Sequence, residues 1–262
     1  MIDYSAIEAV VRRAGQMIVK AHPEKGSIKE KKGPTDFVTD YDFQIQSFLI
    51  GSLGELVPEA TFFCEEDTPG NQREEAAGTV FYIDPIDGTT NFIFGYHHSC
   101  VSVGLAIDGR MIAGFVYNPY VDDFYKAVRG QGAYRNGQRL FMENAPLERG
   151  IVAFGTARNE RRTEAFFTAI RKLYEKSISI RNGGSAALDL CRIADSSNVA
   201  YLQLQLNPFD YAAAQVIIEE AGGVITRLDG RPVSLCESCS VVAGTIYAQQ
   251  EVRAVLEECF RE

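Results

Sequence analysis

The chain has no tryptophan, only three histidines and no surplus of positive charge. Its 26 lysines and arginines stand against 35 aspartates and glutamates, for a formal net charge of -9 at pH 7. Positive charge drives affinity for nucleic acid and anionic membrane, so neither is an expected partner. An acidic chain acting on an anionic substrate needs local positive charge, and bound metal ions would supply it. No apolar run reaches the roughly 18 residues of a membrane-spanning helix. Residues 1–15 lack a basic start followed by an apolar block, so no secretory signal is expected. There is no internal repeat and no low-complexity tract.

Six cysteines are scattered at positions 64, 100, 191, 236, 239 and 259. In a chain of this size they read as reduced thiols of a cytoplasmic protein. Cys236 and Cys239 form a CxxC, but a zinc or redox reading needs a second pair or nearby histidines, and neither is evident. The 262 residues are 46% hydrophobic and 23% charged, ordinary values for a globular chain able to bury a substantial core. That length suits one large domain or two closely packed halves.

Apolar spacing predicts a first helix in which Ile7, Val10, Val11, Ala14, Met17, Ile18 and Ala21 share a face. Ser5 and Glu8 suggest a capping box at its start, and His22-Pro23 ends it. Glu24 to Pro34 reads as a loop in which Lys29, Lys31 and Lys32 are either solvated charge or a basic lip. A second helix is expected over Asp40–Leu53, with Phe43, Phe48, Leu49 and Leu53 inward. Strands are expected at Thr79–Ile83, Cys100–Ile107, Met111–Tyr117, Asp123–Val128 and Arg139–Met142. Turns at Asp108-Gly109, Arg129-Gly130 and Asn136-Gly137 arrange them as an antiparallel meander. Beyond a boundary near residue 145 the pattern alternates. Strands are expected at Ile151–Phe154, Ser177–Ile180, Val199–Leu206, Val224–Thr226 and Val241–Ala243. Helices are expected at Glu160–Tyr174, Ala186–Ala194, Pro208–Ala221 and Gln249–Phe260. Such alternation suggests a mixed sheet with helices on its faces. The halves divide as 1–145, with most of the acidic motifs, and 146–262.

Four segments carry candidate chemistry: Asp36-Phe-Val-Thr-Asp-Tyr-Asp42, Cys64-Glu-Glu-Asp67, Asp84-Pro-Ile-Asp-Gly-Thr-Thr-Asn-Phe92, and Phe209-Asp-Tyr-Ala-Ala213 with Glu219-Glu-Ala-Gly-Gly223. In the third, an apolar strand delivers Asp84, Pro85 removes a donor, and Asp87-Gly88 makes a tight turn. Asp84 and Asp87 can converge on one side, with free amides after Gly88 facing the same space. That arrangement suits cations beside a phosphate at a helix start. Alone, the segment reads equally as a turn that caps a strand. Thr39 with Asp42, and Asn207 with Asp210, read equally as helix caps.

Together, in this order and spacing, the four segments resemble the inositol monophosphatase family of magnesium-dependent, lithium-sensitive phosphatases. The resemblance runs over nearly the whole chain, and DPIDGTTNF is its most specific element. Gly183-Gly-Ser-Ala-Ala187 and Gly130-Gln-Gly-Ala133 also resemble family segments. The resemblance implies an α+β fold layered as an αβαβα sandwich. It implies Mg²⁺ as cofactor, two to three ions, and a homodimer acting on a small phosphorylated alcohol, with inositol 1-phosphate first.

Residue roles follow from the same resemblance. Glu65, Asp84 and the Ile86 carbonyl would hold one metal; Asp84, Asp87 and Asp210 a second; Glu65, through waters, a third. Asp36 and Thr89 would orient the attacking water, and the amides of Gly88 and Thr89 would bind phosphate oxygens. Asp42 and Glu66 would support the metal shell. Gly184, Ser185, Ala186, Gln203 and Asp210 would line the alcohol pocket. His97 and His98 follow the motif closely and are expected at the pocket edge or in a structural role. The chain departs from the family at Cys64, where a glycine is usual, at Phe209, where a tryptophan is usual, and at Gln203, where inositol-selective members carry glutamate. The last keeps fructose 1,6-bisphosphate, 3′-phosphoadenosine 5′-phosphate and histidinol phosphate as alternative substrates. A non-catalytic metal- or phosphate-binding regulator is the alternative from another class.

Two carboxylates about 4 Å apart repel by roughly 4 kcal/mol at an effective dielectric near 20. Clustering four of them repeats that cost unless cations intervene. Oxygen ligands without imidazole or thiolate select Mg²⁺.

Overall fold

Ile7, Val10, Val11, Ala14 and Ile18 form the buried stripe of α1 (Tyr4–Lys20). Its cap is Asp3, whose Oδ1 accepts the N–H groups of Ser5 and Ala6 at 3.0 Å each. The expected Ser5–Glu8 box is absent because Glu8 is engaged with Arg12 and Lys126 on its other side. In α2 (Asp40–Leu56) the Thr39–Asp42 capping box is present. Asp42, Ile45, Gln46, Leu49 and Leu53 are its buried residues. Phe43 and Phe48, expected inward, are only half-buried, because the stripe runs through Ile45 instead.

The computed structural model describes residues 2–22, 28–30, 37–67, 78–156 and 162–260. Two short strands, β1 (Ile28–Glu30) and β2 (Phe37–Thr39), pair antiparallel ahead of α2, so the segment expected as loop is partly strand. Lys29 there is bound to Asp40 at 2.8 Å, while Lys31 and Lys32 lie outside the described residues.

The first large sheet has seven strands in chain order. They are β3 (Thr61–Cys64), β4 (Thr79–Asp87), β5 (Cys100–Ile107), β6 (Arg110–Asn118), β7 (Asp123–Val128), β8 (Gly132–Arg135) and β9 (Gln138–Leu140). It is an antiparallel meander except that β3 and β4 run parallel. β8 was not expected; its four residues fall between two turns and are too few to show a period. The β5–β6 hairpin closes at Asp108 and Gly109, both with positive φ, as a tight two-residue turn requires.

The second sheet is mixed, in the order β11 (Ser179–Arg181), β10 (Ile151–Phe154), β12 (Ala200–Leu206), β14 (Cys239–Gly244) and β13 (Val224–Thr226). α5 (Ala186–Ala194) and α6 (Pro208–Ala221) lie between the two sheets in one shared apolar cluster. α4 (Thr163–Lys176) and α7 (Ile246–Phe260) cover the outer face of the second sheet, and α1 and α2 cover the first. The start expected for α4, Glu160, lies outside the described residues. The result is the five-layer αβαβα sandwich.

The apolar residues of α6 are all buried, and its polar ones, Asp210, Gln215, Glu219 and Glu220, are half-buried. Two glycines bring it onto the first sheet. Gly104 and Gly114 are cross-strand partners. A Cβ on Gly114 would stand 2.1 Å from the Ala213 carbonyl oxygen, and one on Gly104 3.0 Å from the Ala213 nitrogen. That close approach carries Asp210, in the first turn of α6, toward the end of β4.

Candidate active site

Asp87 stands three positions after Asp84, an odd spacing that would put them on opposite faces of a regular strand. β4 does not end at Ile83 as expected but continues to Asp87 through a bulge. Asp84 pairs with Ser102 and Asp87 with Cys100, so three steps on β4 match two on β5. The extra residue turns both carboxylates to the same side. Pro85, which cannot donate to a ladder, sits inside the bulge. Both aspartates are buried, at 2% and 7% exposure.

Burial is the first cause that raises Asp84 well above the usual carboxylate range. The charges of Glu65, Asp87 and Asp210, and a hydrogen bond with Glu65, push it further. These four acids, scattered over 146 positions from Glu65 to Asp210 (210 − 65 + 1), therefore share one region. Burial also pushes Asp87 up, to about 6, against the pull of Ser185 and two amides. Glu65 follows β3 and donates its N–H to the Ile83 carbonyl at 3.1 Å, which sets it beside Asp84. Asp210 accepts the Asn207 N–H at 2.7 Å.

Asp87 joins the first sheet to α5. Its Oδ2 accepts the Ser185 hydroxyl at 2.6 Å and the Ala187 N–H at 2.7 Å, and its Oδ1 accepts the Ala186 N–H at 3.2 Å. A carboxylate there meets the free amides and positive dipole end of a helix. Cys100, its cross-strand partner, donates a weak thiol hydrogen bond at 3.8 Å. Burial raises the Cys100 thiol, keeping it a neutral donor.

Gly88 follows with φ of 90° and starts the short helix α3 (Thr89–Ile93). The Thr89 hydroxyl lies 3.0 Å from the Ile86 carbonyl and 3.4 Å from Asp42 Oδ1. Asp42 Oδ2 in turn accepts the Thr39 N–H and hydroxyl at 2.7 and 2.6 Å. Asp42 thus ties α2 to the acidic turn. Asp36, expected to act with Thr89, lies outside the described residues.

A cavity of about 250 Å³ opens beside these groups, lined by Asp87, Gly184, Ser185, Ala186, Gln203 and Asp210 together with Asp189 and Tyr201. All the residues expected to hold the alcohol therefore meet at one wall. Gln203 accepts the Tyr201 hydroxyl at 2.5 Å and donates to the Gln205 carbonyl at 3.0 Å.

The donor chemistry fits a hard divalent cation. The groups that could hold one, Glu65, Asp84, Asp87 and Asp210, offer oxygens alone, and buried like charges need a counter-charge. Among the described residues, no three acidic, histidine or cysteine side chains close into a finished cation cage. Asp84, Asp87 and Asp210 each bond a nearby backbone N–H instead.

Three residues of this region carried no expected role. Gln46, buried in α2, brackets Glu66 with its amide: it accepts the Glu66 N–H at 3.0 Å and donates to the Glu66 carbonyl at 2.9 Å. Its signal was a polar residue on the apolar stripe of a helix. Asp189 of α5 carries the same signal. Asn91 lay inside the most specific motif without an assignment. His97 stacks on Tyr120 with ring centroids 4.8 Å apart, a structural role among those expected.

A profile of the inositol monophosphatase family matches residues 2–260. An inositol-1-monophosphatase of Bacillus subtilis is 32% identical over 249 residues, covering 93% of this chain and 94% of that one. A putative Nus factor SuhB of Neisseria meningitidis is 34% identical over 235 residues, covering 88% and 89% of the two chains. The crystal structure of inositol monophosphatase II from Staphylococcus aureus superposes with a TM-score of 0.84 at 30% identity, covering 97% of this chain and 93% of that one.

Proposed function

The chain belongs to the inositol monophosphatase family, a family of phosphomonoesterases, and we propose that it hydrolyses inositol 1-phosphate to inositol and inorganic phosphate with Mg²⁺ as cofactor. The observation that carries this reading is Asp84, buried among the charges of Glu65, Asp87 and Asp210. Three acids gathered around a desolvated carboxyl are costly unless a cation balances them.

Glu65, Asp84, the Ile86 carbonyl, Asp87 and Asp210 are the groups that would hold the metal, in two to three positions. When bound, Mg²⁺ neutralises phosphate charge and lowers the pKa of a coordinated water. The chain's own residues do the positioning. Thr89, braced by Asp42, and Asp36 aim the attacking water. The Gly88 and Thr89 amides hold phosphate oxygens, and Gln46, bonded to the backbone of Glu66, steadies the chain beside Glu65. The water oxygen bonds to phosphorus as the bond between phosphorus and the ester oxygen breaks, a water proton passes to that ester oxygen, and the leaving alcohol departs into the cavity beside Gly184, Ser185, Ala186 and Gln203.

Gln203 supports a second reading in which the alcohol is not inositol. Its amide is neutral, and its oxygen and one N–H are engaged by Tyr201 and Gln205. Sugar bisphosphates, 3′-phosphoadenosine 5′-phosphate and histidinol phosphate remain alternatives for the same chemistry.

The test is phosphate release over a panel of these substrates with Mg²⁺, with EDTA, and with lithium. Asp84→Asn is expected to lower turnover by about 10²–10³-fold or more while the protein stays folded, as for loss of a preorganised electrostatic group. Turnover near the wild-type rate in that variant, or release unaffected by EDTA, overturns the reading.

A further inference from the structure

Gly183 is gripped on both sides of its backbone. Its carbonyl accepts the Asn91 Nδ2–H at 2.8 Å, and its N–H donates to Asp189 Oδ2 at 3.1 Å. Asn91 belongs to α3 and Asp189 to α5, so the two grips come from different layers. The same Asn91 Nδ2 also donates to the His98 carbonyl at 2.7 Å. One amide group thus donates to two backbone carbonyls, those of His98 and Gly183.

The surrounding backbone is packed to fit that amide. A Cβ on Gly184, whose φ is 76°, would stand 2.9 Å from Asn91 Nδ2. One on Gly183 would stand 2.3 Å from Asp189 Oδ1. One on Gly88 would stand 3.1 Å from both the Gly184 and His98 carbonyl oxygens. His97, with a positive φ of 54°, adopts a conformation unfavourable for a side-chain-bearing residue immediately before His98.

We infer that Asn91 and Asp189 are positioning residues that clamp the Gly183–Ala186 loop at a set distance from Gly88 and Thr89, and so determine how the leaving alcohol is held. The inference rests on the phosphatase reading above. Asn91 is not among the residues that line the cavity, whereas Asp189 reaches its wall beside Gly184, Ser185 and Ala186. Asn91 acts through two carbonyls and Asp189 through one N–H. Their effect falls on the side of the cavity formed by Gly184, Ser185 and Ala186, and hence on the alcohol. The ester of a bulky polyol needs that wall at the right distance. A flat aryl ester with a good leaving group depends on it less.

Asn91→Asp is the sharpest variant, because it is isosteric and turns two donors into an acceptor facing two carbonyls. It is paired with Asp189→Asn, which keeps an acceptor for Gly183, and Asp189→Ala, which does not. Two readouts are needed. In the metal-free protein, amide hydrogen exchange of peptides covering 181–188 is expected to rise about tenfold in Asn91→Asp and Asp189→Ala but not in Asp189→Asn, since exchange reports local opening. In the Mg²⁺-loaded enzyme, kcat/KM for inositol 1-phosphate is expected to fall tenfold or more, mainly through KM, with p-nitrophenyl phosphate affected about twofold. Unchanged exchange in 181–188, or an equal fall for both esters, overturns the clamp. A wild-type protein that releases no phosphate from either ester overturns the phosphatase reading instead, and the exchange readout then still decides the clamp.

Discussion

Asp87 of β4 binds the start of α5, the helix that Ala186 begins: its carboxylate accepts the Ala187 N–H at 2.7 Å. The Ser185 hydroxyl joins the same oxygen at 2.6 Å. A single side chain therefore links the acidic turn to the alcohol wall, and its protonation state bears on both.

Ser185→Ala removes a hydrogen bond to a buried carboxylate and the Ser185 hydroxyl that accepts the Leu188 N–H at 3.4 Å. A bond to a charged group contributes about 1.5–3 kcal/mol. Urea denaturation of the metal-free protein is expected to show a loss of about 2 kcal/mol, with most of it restored in Ser185→Thr, which keeps the hydroxyl.

Asp87 is held up to about 6 and Asp84 well above its usual range, burial being the first cause in each. For an acid raised in the folded state, the stability gained on protonation is complete below the unfolded value near 4. It is lost as pH rises through about 6. The acid cluster of the metal-free protein is therefore at its costliest at neutral pH, and Mg²⁺ has most to offset there. Thermal unfolding with and without Mg²⁺ is expected to give a clear rise in Tm at pH 7.5 and a much smaller one at pH 5, where protons occupy Asp84 and Asp87. An equal rise at both pH values would count against coupling between these acids and the cation.

Two glycine-to-alanine changes are expected to act in opposite directions. At Gly114 the new methyl meets the Ala213 backbone at 2.1 Å, so α6 and Asp210 must shift. Overpacking of this kind costs about 1–3 kcal/mol, and kcat is expected to fall with it. At Gly51, inside α2, a methyl meets nothing within 4 Å. Alanine there is expected to stabilise the protein by up to about 1 kcal/mol through helix propensity. Paired denaturation curves and steady-state rates check both signs.

Gln203→Glu places on the cavity wall the negative charge expected of an inositol-selective pocket. It is expected to raise kcat/KM for inositol 1-phosphate relative to the other esters of the panel, with any gain opposed by the Gln205 carbonyl, which loses its N–H partner. The ratio between substrates, not the absolute rate, is the quantity to measure.

The elements that were legible in sequence share a local cause. The α1 stripe, the β5–β6 hairpin at Asp108-Gly109, and the spans of α5 and α6 follow from periodicity and turn chemistry within a few residues. The misses also have local reasons. Asp3 competes with Ser5 for the start of α1, and four residues of β8 are too few to carry a pattern. At the site, the acids themselves were legible as motifs. The braces were not: Gln46 reaches Glu66 across 20 positions and Asn91 reaches Gly183 across 92, distances over which one sequence holds no pairing signal.

What the sequence determined by itself was the inventory: oxygen ligands in four acidic segments, the turn that follows Asp84, and the family those segments resemble. What only the tertiary structure decided was convergence. A bulge in β4 turns Asp84 and Asp87 to one side, and the Gly104–Gly114 pair lets α6 carry Asp210 onto the same sheet. Both depend on packing between segments distant in the chain. Burial then raises Asp84 and Asp87 out of the ordinary carboxylate range, an effect of the folded dielectric that no residue holds by identity alone.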